Sequence, residues 1–267
     1  MATSQKLKDV SFVLVPGSFA TTKLYEDNLV AALRGDGYDA QPVELLSAND
    51  GSRLPAPTME QDAEYIRTNV LSILDDQVNP KNVLLTVHSY SGLPGSSAVK
   101  GLGKADRTAQ GKSTAVIGIV YIGSFLPALG QSVRDINPDA PEPYKSGLPG
   151  EYFPLLPAEC GPFIFSDFPA EEIPKLFSHL TRHSSDSYSG KASYEAWKYI
   201  PSVQIIPGAD AIVPPQLQEE MYQNAVAAGG KVKRVYVEGA GHAVNGSRTE
   251  LVVDEMINLA KEASSTA

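Results

Sequence analysis

The chain has 267 residues, 42% of them hydrophobic and 20% charged, which is enough apolar material for a sizeable core and argues against general disorder. A formal net charge of −9 speaks against nucleic acid or an anionic membrane surface as partner. The single cysteine, Cys160, excludes an internal disulfide; with a polar start, Met1 to Asp9, and no apolar run of membrane-spanning length, a cytoplasmic protein is expected.

Val10 to Val15 is an apolar run of strand length, ended by Pro16-Gly17-Ser18-Phe19. Leu24, Leu29, Val30 and Leu33 recur at helical spacing within Thr22 to Arg34, and Gly35-Asp36-Gly37 closes that helix. Ala40 to Leu46 reads as the second strand. After a loop with Pro55 and Pro57, Thr58 stands where an N-cap belongs. The helix it opens runs to about Asp75, with Ala63, Ile66, Val70, Ile73 and Leu74 on one face. Val83 to Val87 is a short, partly β-branched run that breaks abruptly at His88-Ser89-Tyr90-Ser91-Gly92, after which a helix begins. Gly103 to Ser113 is a polar insertion, and Ala115 to Ile122 is the most apolar strand of the set.

Residues 123–194 differ in character. They are rich in proline and aromatics, with short helical patterns such as Ala170 to Leu180 and no expected strand. So many aromatics suit bare solvent poorly, and the segment reads as a cap lining an apolar pocket. Val203 to Pro207 and Val232 to Val237 are the last strands, followed by helices Pro214 to Ala228 and Thr249 to Ala263 respectively. Strands alternating with helices predict a mostly parallel sheet with helices on both faces, built from 1–122 and 195–267 and interrupted by the cap at 123–194. Reactive groups then belong in loops beyond the strands' carboxyl ends.

Three strand ends carry such groups. Ser89 sits where a strand breaks into a tight turn before a helix, the layout that lifts a serine hydroxyl above a sheet. Asp210 follows the Val203 strand and His242 follows the Val232 strand, so the order is Ser, Asp, His, with 242 − 210 = 32 residues between acid and base, room for one helix and one strand. His242 is the base placed to take the serine proton, and Asp210 the group to hold its tautomer. An oxyanion would need two fixed donors: the Tyr90 N–H, next after the nucleophile, and the Ser18 N–H, with Gly17 permitting close approach.

The segments F-V-L-V-P-G-S-F, V-H-S-Y-S-G, V-Y-I-G-S-F-L-P, Y-E-A-W-K-Y-I-P-S, P-G-A-D-A-I-V-P and G-A-G-H span Phe12 to His242. In them the chain resembles the α/β-hydrolase superfamily, and within it the branch of methyl-salicylate esterases, hydroxynitrile lyases and their fungal relatives. The resemblance implies an α/β-hydrolase fold with a helical cap, a Ser89–Asp210–His242 triad and an oxyanion hole from the Ser18 and Tyr90 amides. It also implies a small-molecule substrate, drawn from secondary metabolism in many fungal relatives.

Two departures stand out. Pro16-Gly17 replaces the usual His-Gly, and Val87 and Ser91 replace both elbow glycines, so packing around Val87 must open elsewhere. Lyases of this branch use a threonine and a lysine that Gly17 and Ala243-Val244-Asn245 do not supply. The expected activity is therefore hydrolysis of a carboxylic ester, lactone or thioester of an apolar small molecule. The alternatives are a cyclase or condensing enzyme using His242 as base, or a receptor with a vestigial triad. Gly17, Phe19, Phe125, Tyr152, Phe153 and Trp197 are the expected substrate-binding residues, with Phe163 a further candidate. His179 and His183 have helical i,i+4 spacing but no Glu between them and no third ligand, so no metal and no cofactor is expected. The chain is expected to be a monomer or a homodimer.

Overall fold

Alternation along the strands decides the layering. In a computed structural model, which describes residues 7–265, Val13 and Val15 face one core while Phe12 and Leu14 face another. Leu85 and Val87 likewise oppose Leu84, and Ile119 and Tyr121 oppose Val120 and Ile122. A sheet buried on both faces needs apolar residues at successive positions, which is why these runs read as continuous rather than alternating.

The sheet has six strands in the order β2-β1-β4-β5-β7-β8, all pairs parallel. They are β1 (Val10–Val15), β2 (Asp39–Pro42), β4 (Asn82–His88), β5 (Val116–Ile122), β7 (Ser202–Pro207) and β8 (Val232–Val237). The helices Met59–Leu74, Gly92–Ala98 and Pro215–Ala227 supply one core; the segment Lys23–Gly35 and the helix Thr249–Ser265 supply the other. This is the α/β-hydrolase arrangement the sequence predicts. Thr58 caps its helix through a reciprocal pair: its Oγ accepts from the Gln61 N–H while the Gln61 side chain accepts from the Thr58 N–H.

The structure departs from expectation at four places. The second strand spans Asp39–Pro42 instead of reaching Leu46: Pro42 has no N–H to continue the ladder, and after the Val43 N–H bonds Leu14 O the chain turns away. The helix Lys23–Gly35 contains a π-helical turn, Glu26–Val30. Within 123–194, where no strand is expected, β6 (Arg182–His183) pairs antiparallel with β3 (Ala48–Asn49), and Ala20 bridges Leu180. These pairings stitch residues 180–183 to two places, the loop after β1 at Ala20 and the segment after β2 at Ala48 and Asn49. The helical piece expected at Ala170 to Leu180 narrows to Ile173–Phe177. No helix of the described residues is long and apolar enough to cross a membrane.

Candidate active site

β4 ends because Ser89 takes φ +56°, a left-handed conformation that costs a non-glycine residue about 1–3 kcal/mol and bends the chain off the sheet. Surrounding contacts hold it there. Ser91 Oγ accepts from the His88 N–H at 2.8 Å and lies within donating range of the His88 and Val15 carbonyls. Ser124 Oγ donates to Ser89 O at 2.7 Å. Thus Ser91, in place of a glycine, ties the turn together. The space for Val87 comes from one turn further on: a Cβ on Gly95 would lie 2.5 Å from Val87 Cγ1. The glycine lost from the strand has its counterpart in the helix that crosses it.

Beyond β7 and β8, Asp210 and His242 meet. His242 Nδ1 lies 3.0 and 2.9 Å from the two Asp210 carboxylate oxygens, and both side chains are buried. The carboxylate is fixed by three further donors: the Ile212 and Val213 amides, each at 2.9 Å, and Gln218 Nε2 at 3.0 Å. A carboxylate only accepts, so in the neutral tautomer this pairing selects, Nδ1 carries the proton and Nε2 the lone pair. Gly123, at φ +48°, ends β5 beside this pair, where a Cβ would lie 3.3 Å from Asp210 Oδ2.

His88 extends the site behind the imidazole. Its Nε2–H donates to the His242 carbonyl at 3.0 Å, which leaves Nδ1 to accept from the Tyr25 hydroxyl at 2.6 Å; that hydroxyl in turn accepts from the Gly17 N–H at 3.2 Å. Burial, and then the nearby His242, push the His88 pKa down to about 3, so the ring is a neutral strut. Nothing in the sequence marks Tyr25 as part of this chain.

The loop after β1 brings Gly17 beside the serine, with a Cβ there only 3.0 Å from Ser89 Cβ. Among the described residues, the Ser18 N–H donates to no protein acceptor. The Tyr90 side chain is anchored by its hydroxyl to Asp62 at 2.8 Å; this carboxyl, held also by the Ser47 N–H and hydroxyl, is raised by burial to about 6.

Ser89 and His242 share the wall of a cavity of roughly 340 Å³, the size that suits a small organic ligand. Gly17, Ser18, Phe19 and Phe125 line it, as does Phe163 near its exposed edge. Tyr152, Phe153 and Trp197 do not. The Tyr152 hydroxyl is drawn away to Asn49 and Arg53 O, and Phe153 is buried behind Phe19. Trp197 packs in the core with its indole N–H on Pro127 O. Tyr25, Asn28, Tyr144, Tyr188, Ile212 and Asn245 line the cavity without having been anticipated. His179 and His183 do not form a helical pair, since His183 lies in β6 with both ring nitrogens engaged by Phe19 and Ser187. Among the described residues no group of three or more His, Cys, Asp or Glu is placed to hold a metal ion.

The alpha/beta hydrolase family matches residues 12–255. Two fungal proteins are similar over nearly their whole length. Probable hydrolase R7 of Phoma sp. is 29% identical over 252 residues, covering 93% of this chain and 97% of that protein. Alpha/beta hydrolase nvfD of Aspergillus novofumigatus is 28% identical over 255 residues, covering 95% and 97%. The crystal structure of polyneuridine aldehyde esterase shares the fold, with a TM-score of 0.70 at 17% identity over 95% of this chain and 99% of that one.

Proposed function

This chain belongs to the alpha/beta hydrolase family, and from that premise we propose that it is a serine hydrolase cleaving a carboxylic ester, lactone or thioester of an apolar small molecule. One observation carries the proposal. Ser89, strained at the end of β4, shares a cavity wall with His242, whose Nδ1 is locked to Asp210 so that Nε2 is free to act as a base.

The chemistry follows from that arrangement. Ser89 Oγ attacks the substrate carbonyl carbon as His242 Nε2 takes its proton, and Asp210 stabilises the imidazolium that forms. The Ser18 and Tyr90 amides receive the oxyanion, each worth about 2.7–4 kcal/mol at the transition state. Collapse breaks the bond to the alcohol or thiol, which leaves with the proton from His242. Water, deprotonated in the same way, then releases the acid from the acyl-enzyme. Residues 123–194 act as the cap, since Val133, Tyr144, Phe163, Phe168 and Leu176 of that segment contribute the apolar side of the cavity. An apolar wall favours an apolar acyl or alcohol group.

The test is hydrolysis of p-nitrophenyl esters from acetate to octanoate by wild type and Ser89→Ala. Turnover by the wild type that disappears in the variant supports the proposal, and the chain-length preference sizes the pocket. Equal rates in the two proteins would refute it.

A further inference from the structure

Among the described residues, the Ser18 side chain has a proton with no acceptor. The accounting starts at His183, whose Nδ1 faces the Phe19 N–H at 3.4 Å and must therefore accept, which puts the ring proton on Nε2. Burial lowers the His183 pKa to about 3, so the ring carries that one proton only. Nε2–H then donates to Ser187 Oγ at 3.1 Å and, more distantly, towards Ser18 Oγ at 3.4 Å; the Ser187 hydroxyl spends its own proton on Ser184 O at 2.8 Å. The Tyr188 hydroxyl donates to Ser18 Oγ at 2.8 Å. Ser18 Oγ thus accepts from Tyr188 and faces the His183 donor. Among the described residues nothing accepts its hydrogen, and Ser18 and Tyr188 both line the cavity that holds Ser89 and His242.

We propose that the Ser18 hydroxyl is a third donor to the oxyanion, a catalytic side chain beside the Ser18 and Tyr90 amides, and that Tyr188 is the positioning residue that aims it. The inference rests on the serine-hydrolase reading above. With the lone pairs of Oγ engaged from the rear by Tyr188 and His183, the O–H bond is left to turn towards the cavity, where charge develops on the substrate oxygen. Both rear partners come from the segment that pairs with the loop after β1, through the Ala20–Leu180 bridge and the Thr181 N–H to Phe19 O contact at 2.6 Å. The cap would thereby complete the oxyanion site as well as wall the pocket. No bond of Ser18 is made or broken; its hydrogen bond strengthens as the carbonyl oxygen gains charge and relaxes as the intermediate collapses.

The experiment compares Ser18→Ala, Ser18→Thr and Tyr188→Phe with wild type and Ser89→Ala. It uses the best p-nitrophenyl ester and the rate of labelling by a fluorophosphonate, whose phosphoryl oxygen occupies the same site. Ser18→Ala is expected to lower kcat roughly 10- to 100-fold, the weight of one hydrogen bond to a charged group, with KM nearly unchanged and the labelling rate falling in parallel. Ser18→Thr keeps a hydroxyl and is expected to recover most of the loss, while Tyr188→Phe shows a smaller fall. A Ser18→Ala enzyme within twofold of wild type would overturn the inference, as would equal impairment in the Ala and Thr variants, because loop geometry rather than the hydroxyl would then matter. If Ser89→Ala is inactive and Ser18→Ala is unimpaired, only this inference fails; if Ser89→Ala retains turnover, the serine-hydrolase reading itself fails.

Discussion

Gly95→Ala puts a methyl group 2.5 Å from Val87 Cγ1, well inside any normal carbon–carbon contact. Val87 is fully buried on β4, which is flanked by β1 and β5, and its β-branched side chain has few rotamers to retreat into. Alanine in a helix gains up to about 1 kcal/mol over glycine, but overpacking a tight core costs about 1–3 kcal/mol, so the substitution should destabilise by roughly 1–2 kcal/mol. Val87→Ala alone removes two buried methyl groups and should cost about 2–3 kcal/mol. Together they should fit: the new Cβ at 95 lies 3.6 Å from Val87 Cβ, an ordinary contact, and it takes up space the valine leaves. The double variant is therefore expected to be at least about 1 kcal/mol more stable than additivity predicts. Urea unfolding of the four proteins measures this directly. Additivity within about 0.5 kcal/mol would refute the view that Gly95 is what accommodates a valine at the elbow.

Other consequences can be checked alongside. Asp62 has a folded pKa of about 6 against 3.8 when unperturbed, so the folded state holds its proton more tightly, and the stability this gives at low pH is lost as pH rises through about 6. The stability of wild type relative to Asp62→Asn should accordingly drop by roughly 3 kcal/mol between pH 3 and 7; a flat difference across that range contradicts the assignment. Tyr25→Phe leaves the Gly17 N–H and His88 Nδ1 without partners, at about 1–3 kcal/mol for each orphaned buried group. A lowered thermal midpoint with reduced kcat is expected, and an unchanged midpoint counts against the strut. Phe163 lines the cavity yet is 59% exposed, so Phe163→Ala should raise KM for octanoate esters while sparing acetate. Equal effects on both chain lengths would remove it from the acyl site.

The strands and their order of reactive groups were legible because both faces of the sheet are buried, leaving uninterrupted apolar runs whose ends mark Ser89, Asp210 and His242. The elbow was legible in outline only. Ser91 announces a small residue, but that Gly95 relieves Val87 depends on a helix crossing a strand, which spacing along the chain does not encode. β6 escaped notice because two residues, Arg182 and His183, carry no periodicity. Aromatic content located a pocket-forming segment but could not orient its rings. Phe163 faces the cavity, whereas Phe153 backs onto Phe19 and Tyr152 is pulled outward by Asn49. The Tyr25–His88–His242 chain joins residues 63 and 154 positions apart through hydrogen bonds alone, and only the tertiary structure reveals it.

The central claim is that Ser89 is the nucleophile, and covalent capture tests it most directly. The native protein, incubated with a fluorophosphonate, should gain the mass of one phosphonyl group. Peptide sequencing should map that group to Ser89, and Ser89→Ala should not be labelled although it remains folded. An adduct on another residue, or equal labelling of the variant, would contradict the account.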